Sequence, residues 1–187
     1  MPRKHGTPAG DAVLAIQKLA RATGGDVQAL LTLYALEGLL ARVARSPYRE
    51  DFVLKGGVLL AAFSLRRPTK DIDLHATGIA NDADDVRERV REIAAIDAGD
   101  GLIFDPHAIT AHTIREDDYA GVRIRLLATL GRTRLPVGID VNIGDPIWPA
   151  PAEITPAPLG ADRPRPCPHP WLPPTRGPSR PARNIGN

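Results

Sequence analysis

The chain of 187 residues contains a single cysteine, Cys167, which excludes an internal disulfide and a cysteine-rich zinc site. No apolar run approaches the roughly 20 residues that a membrane span needs. The basic start Met1-Pro2-Arg3-Lys4-His5 is not followed by the hydrophobic stretch of a signal peptide. Trp148 and Trp171 are too isolated to form a base-stacking platform. These absences predict a cytoplasmic protein without membrane contact.

The formal net charge of +2 is unevenly distributed along the chain. Residues 151–187 hold five arginines, no lysine and two acids, whereas residues 1–150 hold 19 basic and 20 acidic residues. The excess of basic residues therefore does not indicate a nucleic-acid-binding body. Residues 151–187 also hold eleven of the 19 prolines, which lack an amide donor and fix φ. We predict one domain at 1–150 and a Pro/Arg-rich tail at 151–187 that is disordered or extended.

Hydrophobic periodicity predicts helices first and strands afterwards. Helices are expected at about 11–22 with Asp11 as N-cap, from Asp26 to about Arg45, at 58–65 and at 82–96. Strands are expected at 52–54, 71–74, 102–104, 109–114, 122–130 and 135–143, with turns at 117–118, Gly121 and 131–132. This order predicts an α+β fold with N-terminal helices and a mixed sheet.

Two carboxylates, Asp71 and Asp73, flank Ile72 in the second predicted strand. Because residues two apart share a face of a strand, both acids project to one side while Ile72 and Leu74 point into the core. Acids two apart are also common at solvated strand ends, and the pair alone is a weak signal. Paired carboxylates on one face are, however, what a metal-dependent enzyme acting on a nucleotide needs.

A glycine turn, Lys55-Gly56-Gly57, precedes this strand by one predicted helix. Its backbone N–H groups at a helix N-terminus suit a triphosphate, and a tight strand-to-helix turn explains the glycines equally well. Two interpretations of Lys55 stay open: it contacts phosphate, or it only pairs with a nearby acid. Arg67 and Lys70 meet phosphate or are exposed charges at the strand entrance.

A third acid, Asp140, lies in the apolar strand Val137-Gly138-Ile139-Asp140-Val141-Asn142-Ile143. An unpaired carboxylate on a central strand is costly, and a metal shared with Asp71 and Asp73 removes that cost. Three carboxylates on adjacent strands can hold Mg²⁺ or Mn²⁺ and align a nucleoside triphosphate for in-line attack.

Other polar residues have a plainer interpretation. Arg123 and Arg125 alternate with apolar residues, which predicts two guanidiniums on the outer face of one strand. They could bind an RNA backbone, but a solvated sheet face is the favoured interpretation. His75 shares the face of Asp73, where a surface histidine at a strand end is favoured over a residue that orients a metal ligand.

Taken in order and spacing from about residue 35 to 149, these motifs resemble the AbiEii/AbiGii-type toxins, nucleotidyltransferase-like proteins of bacterial toxin–antitoxin systems. The resemblance implies a DNA polymerase β-like nucleotidyltransferase fold in which Asp71 and Asp73 bind the catalytic metal. It also implies that Gly56-Gly57 contacts the triphosphate. In MenT-like members the activity is nucleotide transfer from a nucleoside triphosphate to the 3′ end of tRNA, which blocks translation. A cognate antitoxin is the expected protein partner, and Asp140 is expected to help deprotonate the attacking hydroxyl.

The family pattern continues with helices that carry a lysine and further acids, whereas this chain has no lysine after Lys70. We therefore expect the C-terminal part of the family fold to be truncated or replaced by the tail. The hypothesis is that the tail comes from a shifted reading frame or that the gene is a decayed copy. The coding DNA tests the first explanation, which requires another frame beyond about codon 150 to encode amphipathic helices with a lysine. The alternative function is an inactive relative or interaction module that binds an antitoxin or other partner without catalysis.

Overall fold

A computed structural model describes residues 6–55, 71–116 and 119–144 of the chain, with three helices, a 3₁₀ turn (Pro106–Ala108) and one mixed sheet. The predictions for Gly56, Gly57, Arg67 and Lys70, for the helix at 58–65, for the turn at 117–118 and for the tail lie outside the described residues. The helices are α1 (Pro8–Thr23), α2 (Val27–Arg45) and α3 (Ala83–Ala95). The strands are β1 (Phe52–Lys55), β2 (Asp71–Ala76), β3 (Leu102–Phe104), β4 (Thr110–Glu116), β5 (Tyr119–Leu130) and β6 (Thr133–Ile143).

Short polar side chains set the helix starts. Asp26 accepts hydrogen bonds from the backbone N–H groups of Gln28 and Ala29, which confirms it as the N-cap of α2. The prediction that Asp11 caps the first helix is wrong. Thr7 is the cap, with its hydroxyl 3.1 Å from the Gly10 nitrogen, because Pro8 has the fixed φ that suits the first helical position.

The sheet runs in the order β1-β2-β6-β5-β3, and β4 also pairs with β5. Within the described part of the chain, only β2 and β6 are parallel, and all other strand pairs are antiparallel. The tight turn at Gly131-Arg132 joins β5 to β6, and Gly131 has the positive φ of +61° that short hairpin turns favour. Gly121 was predicted as a turn but lies inside β5, since its neighbours pair with β4 and β6 on both sides. The predicted α+β fold with a mixed sheet is confirmed.

The hydrophobic core lies between the helices and one face of the sheet. Ile72, Ile139 and Ile124 are neighbours across β2, β6 and β5, and each is at most 1% exposed. Helix α2 contacts β6, while α1 and α3 contact β5. Because one face is covered in this way, the odd-numbered residues of β2 and the even-numbered residues of β6 project to the other face.

Helix α2 is long and apolar enough to cross a membrane, with 19 residues and a mean hydropathy of 1.4 over its best window. The prediction that no stretch approaches that length is therefore corrected. Half of this window is buried inside the fold, which is the pattern of a core helix and weak support for a membrane span.

A buried ion pair joins α2 to the strand that follows α3. Arg42, 1% exposed, donates to both carboxylate oxygens of Asp100 at 2.7 and 3.0 Å. Its guanidinium also donates to the carbonyls of Gly38 and Leu102 and lies 4.8 Å from the centre of the Phe104 ring. The pair fixes the position of α2 over the β3 end of the sheet.

A second cluster holds α3 against the segment that enters β1. Arg89 pairs with Asp51 at 2.9 Å and with Asp85 at 3.1 Å, and its guanidinium packs over the ring of Tyr48. The hydroxyl of Tyr48 donates to Glu92 at 2.7 Å, and this hydrogen bond raises the pKa of Tyr48.

Asp100→Ala should lower the free energy of unfolding by about 3 kcal/mol, because it leaves the Arg42 charge buried without its carboxylate. Urea denaturation measures the loss. Glu88→Ala is the control, since it removes an exposed carboxylate that pairs with Arg91 on α3 and should leave stability nearly unchanged. Equal losses in the two variants would contradict the assignment of Arg42–Asp100 as the anchor.

Candidate functional site

The candidate site is a set of charged side chains on the sheet face opposite the helices. In the parallel pairing of β2 with β6, Asp73 lies beside Asp140 and Asp71 lies beside Gly138. The Cα atoms of parallel neighbours are about 4.8 Å apart. Asp71 lies two residues before Asp73 on β2, which is a distance of about 6.6 Å along the strand. The structure thus brings the three predicted carboxylates to one patch of one face.

Strand β5 places an arginine beside each of two acids. Arg123 pairs with Asp140 across β5 and β6, and its Nε and Nη2 each donate to one carboxylate oxygen at 2.8 Å. Arg125 lies across from Gly138, and its Nη1 reaches over that glycine to donate to the Asp71 carboxylate at 2.8 Å. The favoured interpretation, a solvated sheet face, is therefore incomplete, because both guanidiniums bind candidate site carboxylates.

These two ion pairs are only partly shielded from water. The side chains of Arg123 and Arg125 are 45% and 47% exposed, and those of Asp140 and Asp71 are 21% and 44% exposed. Exposed pairs of this kind contribute roughly 0–1 kcal/mol each, with the two-pronged Arg123–Asp140 contact at the upper end. The two arginines are thus held by weak, partly exposed ion pairs.

Gly138 is the residue that the sequence motif did not single out. A Cβ at this position would overlap both the Asp71 Oδ1 and the Arg125 Nη1, so the missing side chain is what lets Arg125 cross β6. A lone glycine inside an apolar strand often marks such a close approach, and this signal was available in the sequence.

The row that contains Asp73 and Asp140 extends across the sheet. Lys55 lies across from Asp73 on β1, and His112 lies across from Arg123 on β4. Lys55 therefore lies beside a candidate metal ligand. This position is compatible with the interpretation that Lys55 pairs with a nearby acid. The order along the row is Lys55, Asp73, Asp140, Arg123, so that positive charges flank the two acids.

His75 differs from its prediction. It follows Asp73 on the same face of β2 and lies across from Asn142 on β6, but it is only 2% exposed. The favoured interpretation as a surface histidine at a strand end is therefore wrong. Its ring lies within the fold on the side of the sheet that carries the acids.

The donor chemistry of the site suits a hard divalent cation. Asp71, Asp73 and Asp140 offer carboxylate oxygens from adjacent positions of one face, and Mg²⁺ prefers oxygen ligands. Within the described residues, no three Asp, Glu, His or Cys side chains converge into a ready metal site. Two of the three acids do not converge on a common point, because Asp71 and Asp140 are turned toward arginines on β5.

Comparison with known proteins identifies a family. The model of the family described as nucleotidyl transferase AbiEii toxin, type IV TA system, matches residues 38–176. The match thus begins within α2, includes the whole sheet and continues into the Pro/Arg-rich segment. A search of curated proteins finds no match.

Two crystal structures from Helicobacter pylori resemble this fold. One is JHP933, with 17% identity, a TM-score of 0.46 and an alignment covering 69% of this chain and 50% of that one. The other is a protein assigned as a nucleotidyltransferase, with 18% identity, a TM-score of 0.46 and coverage of 69% and 51%. This chain therefore spans about half the length of each.

Two strand glycines provide a test of the site geometry. Gly138→Ala should cost at most about 1 kcal/mol, because the atoms it meets are the ends of half-exposed side chains that can move apart. Gly121→Ala should cost roughly 2–3 kcal/mol, because its Cβ would lie 2.7 Å from the backbone oxygen of Val141.

Urea denaturation ranks the two variants. A double-mutant cycle between Arg125→Ala and Asp71→Ala should show coupling in the native chain and none when Gly138→Ala is also present. Coupling that survives Gly138→Ala would show that Arg125 does not need the gap over β6.

Proposed function

The chain belongs to the AbiEii family of nucleotidyl transferase toxins of type IV toxin–antitoxin systems, and from that premise we propose that it transfers nucleotides from a nucleoside triphosphate to the 3′ end of tRNA. The family itself implies a nucleoside triphosphate substrate and an antitoxin partner. The observation that supports catalysis is the placement of Asp71, Asp73 and Asp140 on one face through the parallel pairing of β2 and β6.

The proposed reaction is an in-line displacement at phosphorus. The terminal 3′ oxygen of the acceptor forms a bond to the α-phosphorus, the bond from that phosphorus to the bridging oxygen breaks, and pyrophosphate leaves. The proton of the attacking hydroxyl passes to Asp140, the acid beside Asp73. Asp71, Asp73 and Asp140 would hold Mg²⁺ or Mn²⁺, which supplies charge neutralisation of the phosphates when bound.

The remaining site predictions complete this proposal. Lys55, Gly56 and Gly57, together with Arg67 and Lys70, are proposed to contact the triphosphate, and Lys55 lies beside Asp73 in the sheet. Because tRNA and nucleoside triphosphates are cytoplasmic, the proposed site of action is the cytoplasm. The domain boundary near residue 150 is likewise a proposal.

A second candidate function is partner binding without catalysis. It is favoured by the pairing of Asp71 and Asp140 with arginines, which engages two of the three acids that catalysis needs. Under this function the chain binds its antitoxin, and no triphosphate is consumed.

Incubation with Mg²⁺, labelled nucleoside triphosphates and tRNA should label the tRNA. Asp73→Asn should reduce the rate on the order of 100-fold, because it removes a charged ligand of the cation that would neutralise the reacting phosphate. Asp84→Asn is the matched control, since that exposed acid lies in the first turn of α3. Prior periodate oxidation of the tRNA should abolish labelling if the 3′ end is the acceptor. Absence of incorporation with all four triphosphates would favour the binding function.

A further inference from the structure

We propose that Arg123 and Arg125 are exchangeable counter-ions of the site: each holds a carboxylate until a divalent cation takes it, and each then binds the polyphosphate. This inference rests on the proposed nucleotidyl transfer and extends it to two residues of β5. It assigns these arginines to the triphosphate rather than to the solvated face or the RNA backbone.

The contacts bring the arginines to the same carboxylates that a cation would bind. Arg123 engages both carboxylate oxygens of Asp140, and Arg125 engages Oδ1 of Asp71. A cation that binds Asp140 would share an oxygen that already accepts a hydrogen bond from Arg123, and the repulsion between the two adjacent positive charges would weaken that ion pair. The gap over Gly138 places the Arg125 head directly between β2 and β5, where a cation held by Asp71 would meet it.

The charge balance gives the direction of the exchange. Among the described residues around the three acids, Asp71, Asp73 and Asp140 are matched by Lys55, Arg123 and Arg125, which makes this set of six side chains neutral. A divalent cation adds two positive charges, repels the nearby guanidiniums and turns the patch into an attractive surface for a polyanion. Cation and polyphosphate are therefore expected to bind together, with each raising the affinity for the other.

The released arginines stay within reach of the site. Strand β5 is fixed on both sides by β4 and β6, so the backbone of Arg123 and Arg125 keeps its position. Both side chains are about half exposed and can turn toward solvent without disturbing the core. The guanidinium fork matches phosphate oxygens as well as carboxylate oxygens, so the same groups that leave the acids can bind the polyphosphate.

The test measures binding without catalysis, on the full chain. Mn²⁺ affinity is read from the electron paramagnetic resonance signal of free Mn²⁺, and binding of tripolyphosphate in saturating Mn²⁺ is read by calorimetry. Arg123→Gln and Arg125→Gln should each bind Mn²⁺ about five-fold more tightly and tripolyphosphate at least five-fold more weakly, the lower range of such couplings. Arg123→Lys should fall between the native chain and Arg123→Gln, because it keeps the charge and loses the fork.

Arg134→Gln is the matched control. It also removes one positive charge from the polar face of the sheet, but at a position on β6 that is six residues, or roughly 20 Å, from Asp140. At that distance the charge is screened, so both affinities should be unchanged. Thermal unfolding of every variant checks that the fold is intact, and the half-exposed positions predict small changes.

Unchanged or weaker Mn²⁺ binding in both glutamine variants overturns the exchange, and unchanged tripolyphosphate binding overturns the transfer of the arginines to phosphate. If, in that case, the native chain still binds Mn²⁺ and loses this binding in Asp73→Asn, the proposed function stands, and only the inference about the arginines fails. Absence of Mn²⁺ binding in the native chain and in all variants overturns both.

Discussion

The parallel pairing of β2 with β6 is the constraint on which the candidate site depends. It sets Asp73 beside Asp140 and Asp71 beside Gly138. Burial fixes this register, because Ile72 and Ile139 fill the core face from the same two strands. A slip of one residue would turn the acids into the core and the isoleucines into water, at a cost in both hydrophobic and charge burial.

The helical layer keeps that register by covering one face of the sheet only. Helix α2 packs on β6, and Arg42 links it to Asp100 at the start of β3. A buried pair of this kind adds little net stability, but loss of either partner is costly. Its contribution is therefore positional: it holds α2 over one end of the sheet and leaves the opposite face for polar groups.

The polar face carries the charges of the candidate site, and two of its acids are compensated by arginines on the neighbouring strand. Arg123 and Arg125 neutralise two acids that would otherwise repel their neighbours across β2 and β6. These ion pairs are partly exposed to water and therefore weak. Under the proposed nucleotidyl transfer this charge pattern would have a functional meaning, because that reaction would bring a cation and a polyphosphate to the carboxylates.

The sequence by itself determined most elements and their faces, because periodicity and turn residues are local: the strand of Asp71 and Asp73, the strand of Asp140 and the cap of α2 were all predictable. Even the family could be identified from motif order. The burial of His75 and the pairing of Arg123 with Asp140 were not predictable, since both depend on which strands become neighbours. Only the tertiary structure decided that, because strand order and register bring together residues far apart in sequence.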